Sequence, residues 1–504
     1  MLFDELMMDN STLIKFQIYK KISSLNQTII PVSQVAKLFD LSYQQTLIIL
    51  TEINQEIMAY NNKQSSILKK AGKINAEHLT ISIDEYRYLT LKKSIPFLFI
   101  LYFLNHDQPT IEDFCERHYV SQSTVSRKMI PLKKHVKQFN LRFSFREANL
   151  TGDERVVRVA LFNTLWLGTR GLFWPFTRVS REEAEKLVHD FSEYFPLTRT
   201  YLGLRELSFF AAIFLSRAQK KFFVSYDSNY DFLMKDNPYY DFKRLNKSLG
   251  PVKALPPAIA KGESSFIFFL AHYAPFYTMQ DDPSLYQTLF DFSKQDNEVI
   301  HFVDAFLNYS QKEFFYNQPE IKKDPLLKGN LLNIFFVYYV LRHPFPNLQS
   351  LVVDSENRMP KVEKQLEQVI LRFLENKLND SAYPYLSKIQ KPLTKSLKNL
   401  MLPYCNQFQC SKVIKVGIAF EHNFLLIRNL YQFLNQLDFV EVTPYIDKLT
   451  HKYDLVISSS LLPLETYPTL PLHCMDLSYG DEELAHLYVR LHRLYKEKNA
   501  AFDY

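Results

Sequence analysis

The sequence predicts a mainly α-helical, multidomain protein, with two winged helix-turn-helix units in front, two helical bundles in the middle and an α/β module at the end. Three observations carry that prediction. A chain of 504 residues is too long for a single hydrophobic core. Its glycines number only 10, and most apolar segments recur at three- and four-residue steps, the period of a helix. Beyond residue 412 the period changes, and short continuous apolar runs alternate with helical ones.

Composition narrows the class. Hydrophobic residues at 47% and charged ones at 23% describe a globular protein. The richest apolar run, "IPFLFILYFL" at 95–104, is about half the roughly 20 residues that a membrane span requires, so no membrane partner is expected. "MLFDELMMDN" carries acids where a secretory signal carries bases, which points to the cytoplasm. Cys115, Cys405, Cys410 and Cys474 form neither CxxC nor Cys/His ligand spacing. No disulfide framework, metal or other cofactor is expected. No catalytic triad or Walker loop is visible, and an enzyme is not expected either.

Charge becomes informative once it is divided. Residues 1–170 hold 22 Lys and Arg against 16 Asp and Glu, a net of +6, while the remaining 334 hold 38 of each. From Arg117 to Arg146 there are eight cations (Arg117, Arg127, Lys128, Lys133, Lys134, Lys137, Arg142 and Arg146) and no carboxylate. A polyanion is the natural partner of such a stretch, with a merely solvated face as the alternative.

The first unit is read in "PVSQVAKLFDLSYQQTLIILTEINQEI" at 31–57. Ser33 caps a short helix, Asp40 and Leu41 form a turn, and Ser42 caps a longer helix. Val32, Val35 and Leu38 are expected to pack on Leu47, Leu50 and Ile53, leaving Tyr43, Gln44, Gln45 and Thr46 in an exposed first turn. "SILKKAGKINAEHLTISI" at 66–83 reads as its wing, turning at Gly72 among Lys69, Lys70 and Lys73.

The second unit is stronger. In "PTIEDFCERHYV", Thr110 caps a helix over 110–118, with Glu112 and Asp113 in the first turn where the helix dipole favours acids. Tyr119 and Val120 form a tight turn, and Ser121 caps the next helix. There Val125, Met129, Leu132 and Val136 make one apolar stripe, and Pro131 is expected to bend the axis near Arg127. Two helices joined so tightly are a helix-turn-helix, whose second helix enters the major groove of double-stranded DNA by its N-terminal residues. Those residues are Ser121, Gln122, Ser123, Thr124, Ser126, Arg127, Lys128 and, farther along, Lys133. Gln, Ser and Thr exchange hydrogen bonds with base edges, Arg forks onto guanine, and Lys neutralises phosphate. "LRFSFREANLTGD" at 141–153 alternates like a strand and predicts a wing whose Arg142 and Arg146 face phosphate. The doubling of the pattern favours DNA over a solvated face.

After "GLFWPF" at 171–176, Ser180 and Glu183 form a capping box, and helical segments follow at roughly 203–219, 285–312, 325–342 and 357–378. Aromatic side chains, as in "SYDSNYDFLMKDNPYYDF" at 225–242, read as core. Residues 377–411 read as a connector rich in Lys, Asn, Pro and Ser. The tail then alternates strands at 412–420, 439–445, 453–460 and 470–477 with helices at 423–437 and 481–498, a small parallel sheet.

This order of parts resembles the Mga/AtxA-like family of transcriptional regulators of Gram-positive bacteria along essentially the whole chain. The most specific segment is 110–166, including Gly152, Asp153 and Glu154 and the helix after them, together with the exit "GLFWPF". The resemblance implies a first winged helix over 1–83, a principal one over 84–170, PTS-regulation domains over 171–290 and 291–395, and an EIIB-like domain over 412–504. It implies a promoter-binding regulator, acting mainly as an activator and tied to sugar-phosphotransferase status. Homodimerisation through the EIIB-like domain, and contact with phosphotransferase carrier proteins, are implied with it. Candidate phosphoacceptors are His189 and His272 in the first bundle and His301 and His343 in the second, with His272 and His343 ending apolar helices where a carrier would meet them. Ser208 stands where a first-bundle histidine is expected. A working EIIB module carries a phosphocysteine after its first strand; here that loop, "AFEHNFLL" at 419–426, has Glu421 and no Cys. A phosphotransferase component is therefore the weaker rival. An RNA-binding antiterminator, the other rival, would carry a small β-rich module in front.

Overall fold

A computed structural model describes residues 2–25, 27–61, 66–69, 72–192, 201–228, 256–270, 272–274, 277–316, 319–352, 361–378, 383–408, 413–420, 424–446 and 452–500. Lys70, Glu421 and most of 225–242 lie outside the described residues. The chain forms two compact units: residues 1–309 with 319–357 and 374–393, and residues 310–318 with 358–373 and 394–504. Among the described residues no helix is long and apolar enough to cross a membrane.

The first unit opens with α1 (Phe3–Met7) and α2 (Asn10–Ser24), the latter capped by Asp9, whose carboxylate accepts from Thr12 N at 3.0 Å. Then come β1 (Ile29–Pro31), α3 (Val32–Leu38), α4 (Tyr43–Asn61), β2 (Leu68–Lys69) and β3 (Lys73–Asn75), the strands pairing antiparallel in the order β1-β3-β2. Ser42 caps α4 reciprocally with Gln45, as a capping box. Three expectations need correction here. Ser33 is not a cap, because α3 starts at Val32 straight after Pro31. Leu38 and Leu47 are exposed rather than core, and Thr46 is wholly buried. The buried stripe of α4 runs Thr46, Leu50, Ile53, Ile57: Leu50 and Ile53 are core as expected, and Thr46 takes the place of Leu47. Thr46 can occupy an apolar position because its hydroxyl donates to Ser42 O at 3.0 Å, satisfying it locally.

The next helices are α5 (Ile83–Leu91), α6 (Ile95–Asn105), α7 (Ile111–His118), α8 (Gln122–Lys128) and α9 (Ile130–Lys137), followed by β4 (Arg142–Ser144), β5 (Asn149–Thr151) and α10 (Glu154–Thr169). The run "IPFLFILYFL" is α6, with Pro96 in its first turn and most of its apolar side chains buried in the core. The stripe Val125, Met129, Leu132 and Val136 is buried as expected. Pro131 does more than bend the axis: it separates two helices at Met129 (φ −81°, ψ −7°), because its ring removes a backbone donor. β4 and β5 form an antiparallel hairpin with Arg142 opposite Thr151 and Ser144 opposite Asn149.

The bundle helices are α11 (Arg181–Ser192), α12 (Tyr201–Gln219), α13 (Pro257–Leu270), α14 (Pro283–Ser293), α15 (Glu298–Glu313), α16 (Pro325–Leu341), α17 (Leu348–Val352), α18 (Lys361–Leu378) and α19 (Leu386–Phe408). The Ser180–Glu183 capping box is present. The predicted helix 285–312 is two helices, divided where Asn297 turns its amide onto Phe292 O and Gln295 O. The predicted connector is largely α19, in which Leu386, Ile389, Leu393, Leu397 and Met401 are buried at helical spacing.

The second unit contains β6 (Ile414–Ala419), α20 (Phe424–Asn435), β7 (Val440–Pro444), β8 (Leu455–Ser458), α21 (Leu462–Thr466), β9 (Leu472–Cys474) and α22 (Asp481–Ala500). Its strands are all parallel, in the order β7-β6-β8-β9. Ile414, Val416, Ile418, Leu455 and Ile457 meet Leu430 and Leu434 of α20 and Leu487 and Leu491 of α22 in one core. The short α21 was not foreseen from the sequence.

Candidate nucleic-acid interface

α7 ends in a left-handed residue, Tyr119 (φ 53°, ψ 42°), and Val120 N donates back to Cys115 O at 3.0 Å. Three residues after α7, the Ser121 hydroxyl accepts from Thr124 N at 3.1 Å and lies 2.8 Å from Ser123 Oγ. The helix therefore begins in a small cluster of hydroxyls beside its own free N–H groups. Ser121, Gln122, Ser123, Ser126 and Arg127 are exposed, and Thr124 and Lys128 partly so. Two of these side chains reach residues outside α8: Gln122 donates to Glu112 at 3.1 Å, and Lys128 lies 2.7 Å from Asp9. The Lys128 ammonium holds the Asp9 carboxyl well below the usual carboxylate range.

Beyond the break at Met129 a groove of about 950 Å³ runs between α9 and the wing. Lys133, Lys134, Lys137, Arg142 and Arg146 line it, with Glu147 as its single carboxylate. The Lys133 ammonium sits 4.3 Å from the centre of the Phe145 ring, a cation–π contact between two residues that line the groove. Its charge suits a sugar–phosphate backbone.

The first helix-turn-helix repeats this geometry residue for residue. Asp40 is left-handed (φ 51°) as Tyr119 is, and Leu41 N donates to Ala36 O at 3.0 Å as Val120 N does to Cys115 O. Ser42 then corresponds to Ser121, and buried Thr46 to buried Val125. Leu47 and Ile48 consequently stand where α8 has Ser126 and Arg127, and Ile48 is 60% exposed. α4 holds no Lys or Arg. Thr46 cannot face DNA, so of the four residues expected there Tyr43, Gln44 and Gln45 are presented. Tyr43 also braces the wing, since its hydroxyl lies against Gly72, which is left-handed (φ 63°).

Behind the wing lies a buried ionic network that the sequence did not reveal. Arg217 of α12 donates to Asn149 of β5 at 2.8 Å and to Glu154 at 2.6 and 2.8 Å. Arg158, wholly buried, donates to Glu154 at 3.0 Å and bidentately to Glu263 at 2.7 and 2.9 Å. Glu263, equally buried, also accepts from Val224 N at 2.6 Å. Buried charges persist only when so fully paired. The one visible signal was an arginine inside the otherwise apolar "VVRVALF".

The candidate phosphoacceptors differ in access. His272 is buried and bonded to Asn333, so the expected presentation to a carrier does not hold for it. His343 is mostly covered, its Nδ1 2.7 Å from Pro344 O and its Nε2 3.9 Å from Asp153. His301 is exposed, 2.6 Å from Asp296, and His189 is exposed on α11. Ser208 is buried, donating to Leu204 O.

A helix-turn-helix followed by a β-hairpin wing, with an acid-poor cationic face, defines a winged-helix DNA-binding domain. Residues 79–165, which span α5 to α10, match the Mga helix-turn-helix domain family. Over 172 residues the chain is 22% identical to the capsule synthesis positive regulator AcpB of Bacillus anthracis, a stretch covering 33% of this chain and 36% of that protein. The match thus spans about a third of the curated relative. Both similarities support a likeness to the Mga/AtxA-like regulators, the family model over residues 79–165.

Proposed function

We propose that the protein is a cytoplasmic DNA-binding transcriptional regulator that acts positively on its promoters. The observation that carries this reading is a helix-turn-helix frame with a groove between α9 and the wing that five cations line. In this reading Ser121, Gln122, Ser123, Thr124, Ser126 and Arg127 meet base edges, and the cations of α9 and the wing meet phosphate. Tyr43, Gln44 and Gln45 add a second contact, made by hydrogen bonds and by apolar touch on thymine methyl groups rather than by charge. The α/β unit pairs two copies, and phosphotransferase status enters through the bundle histidines, of which His189 and His301 are exposed.

A fluorescence titration of labelled duplex DNA against salt tests the reading. Arg127→Ala is expected to weaken binding by about tenfold or more and to relax the sequence preference at the base it meets. Adding Lys128→Ala is expected to abolish measurable promoter binding while leaving the helical circular dichroism intact. Unaltered affinity in both variants would remove α8 as the reading helix.

A further inference from the structure

Tyr119 is the most exposed large apolar residue of the molecule's described part, at 95%. It also adopts a left-handed backbone conformation, which costs free energy for any side chain with a Cβ and is favoured by Gly, Asn or Asp. The corresponding turn in the first unit uses Asp40, a residue suited to that conformation. Tyr119 therefore pays twice, in backbone strain and in an unburied ring, and neither the core nor a cap uses its side chain. Its position supplies the missing use. The turn joins a helix that crosses the DNA backbone to the end of the helix that enters the groove. It stands two residues before the Ser121 hydroxyl cluster, and tyrosine hydroxyls are among the regular donors to phosphate oxygens.

We propose that Tyr119 is a DNA contact, its hydroxyl donating to a backbone phosphate at the edge of the groove that α8 enters. The inference rests on the DNA-binding reading above. Because the side chain is neutral, it fixes the position of the duplex without displacing a counterion. The contact is therefore independent of sequence and invisible in the salt slope.

The test uses the full chain with a duplex that the wild type selects from a random pool, beside an unrelated duplex of equal length. Tyr119→Phe and Tyr119→Gly are each expected to bind about tenfold more weakly, by the same factor on both duplexes and with an unaltered salt slope. Amide exchange of 111–128 should be no faster in Tyr119→Gly, since a left-handed backbone suits glycine. Unchanged affinity in Tyr119→Phe overturns the hydroxyl–phosphate contact, as does a loss confined to the selected duplex. If the wild type prefers no duplex and binds none at low salt, the DNA reading itself fails, an outcome distinct from either.

Discussion

His272 settles its own protonation by what surrounds it. Asn333 Nδ2 donates to Ala274 O at 3.1 Å, which turns Asn333 Oδ1 toward the ring at 3.2 Å and places the imidazole proton on Nδ1. Phe268, Phe292 and Phe336 surround the ring, and burial pushes its pKa down from 6.5 to about 4. A histidine so depressed binds fewer protons folded than unfolded between those values. Its stability contribution is present above about pH 6.5 and lost as pH falls toward 4, at most on the order of 3 kcal/mol. The urea midpoint should therefore fall on acidification from about pH 7 to about pH 5, and fall less steeply in His272→Gln. His135, also depressed to about 4 by burial, retains part of the slope. An identical pH profile in the variant would show that the ring titrates exposed. The sequence displayed a histidine ending an apolar helix; it could not display an asparagine 61 residues away that draws the ring inside.

At the scale of elements, signals set within a few residues are legible in the sequence, Ser33 excepted. Thr110, Ser121 and Ser42 cap their helices, and the stripe from Val125 to Val136 is core, because caps and periodicity are set within a few residues. Errors arose where one residue type could serve two purposes. Thr46 looked polar and exposed, yet its hydroxyl is satisfied by its own helix. The Lys, Asn and Pro of 386–408 looked like a connector, while the apolar positions beneath them kept the helical period. Contacts distant in sequence were not visible at all, as with Lys128 and Asp9, 119 residues apart. That pair carries a prediction. Asp9→Asn preserves the cap of α2 but frees Lys128 at the end of α8, so DNA affinity should rise by about two- to fivefold at low salt and the salt slope should steepen by about one. An unchanged slope would place Lys128 away from phosphate.

Across the whole molecule the charge is lopsided: a net of +6 in residues 1–170 and 38 charges of each sign in the rest. The later domains therefore add little long-range attraction, and the salt dependence of binding should report the front of the chain alone. Lys133, Lys134, Lys137, Arg142 and Arg146 line the groove between α9 and the wing, and none makes an ion pair among the described residues. Five phosphates neutralised on duplex DNA give a slope of about −4.5, and two copies brought together on one site give about −9. The same measurement thus separates the two halves of the proposed function. A slope near −9 on a site long enough for two copies, falling to about −4.5 on a half-length site, is the result expected if the α/β unit pairs protomers. A slope of about −4.5 on both would leave DNA binding in place and remove self-association from the mechanism. A slope shallower than about −2 would mean that the groove between α9 and the wing does not hold a phosphate backbone.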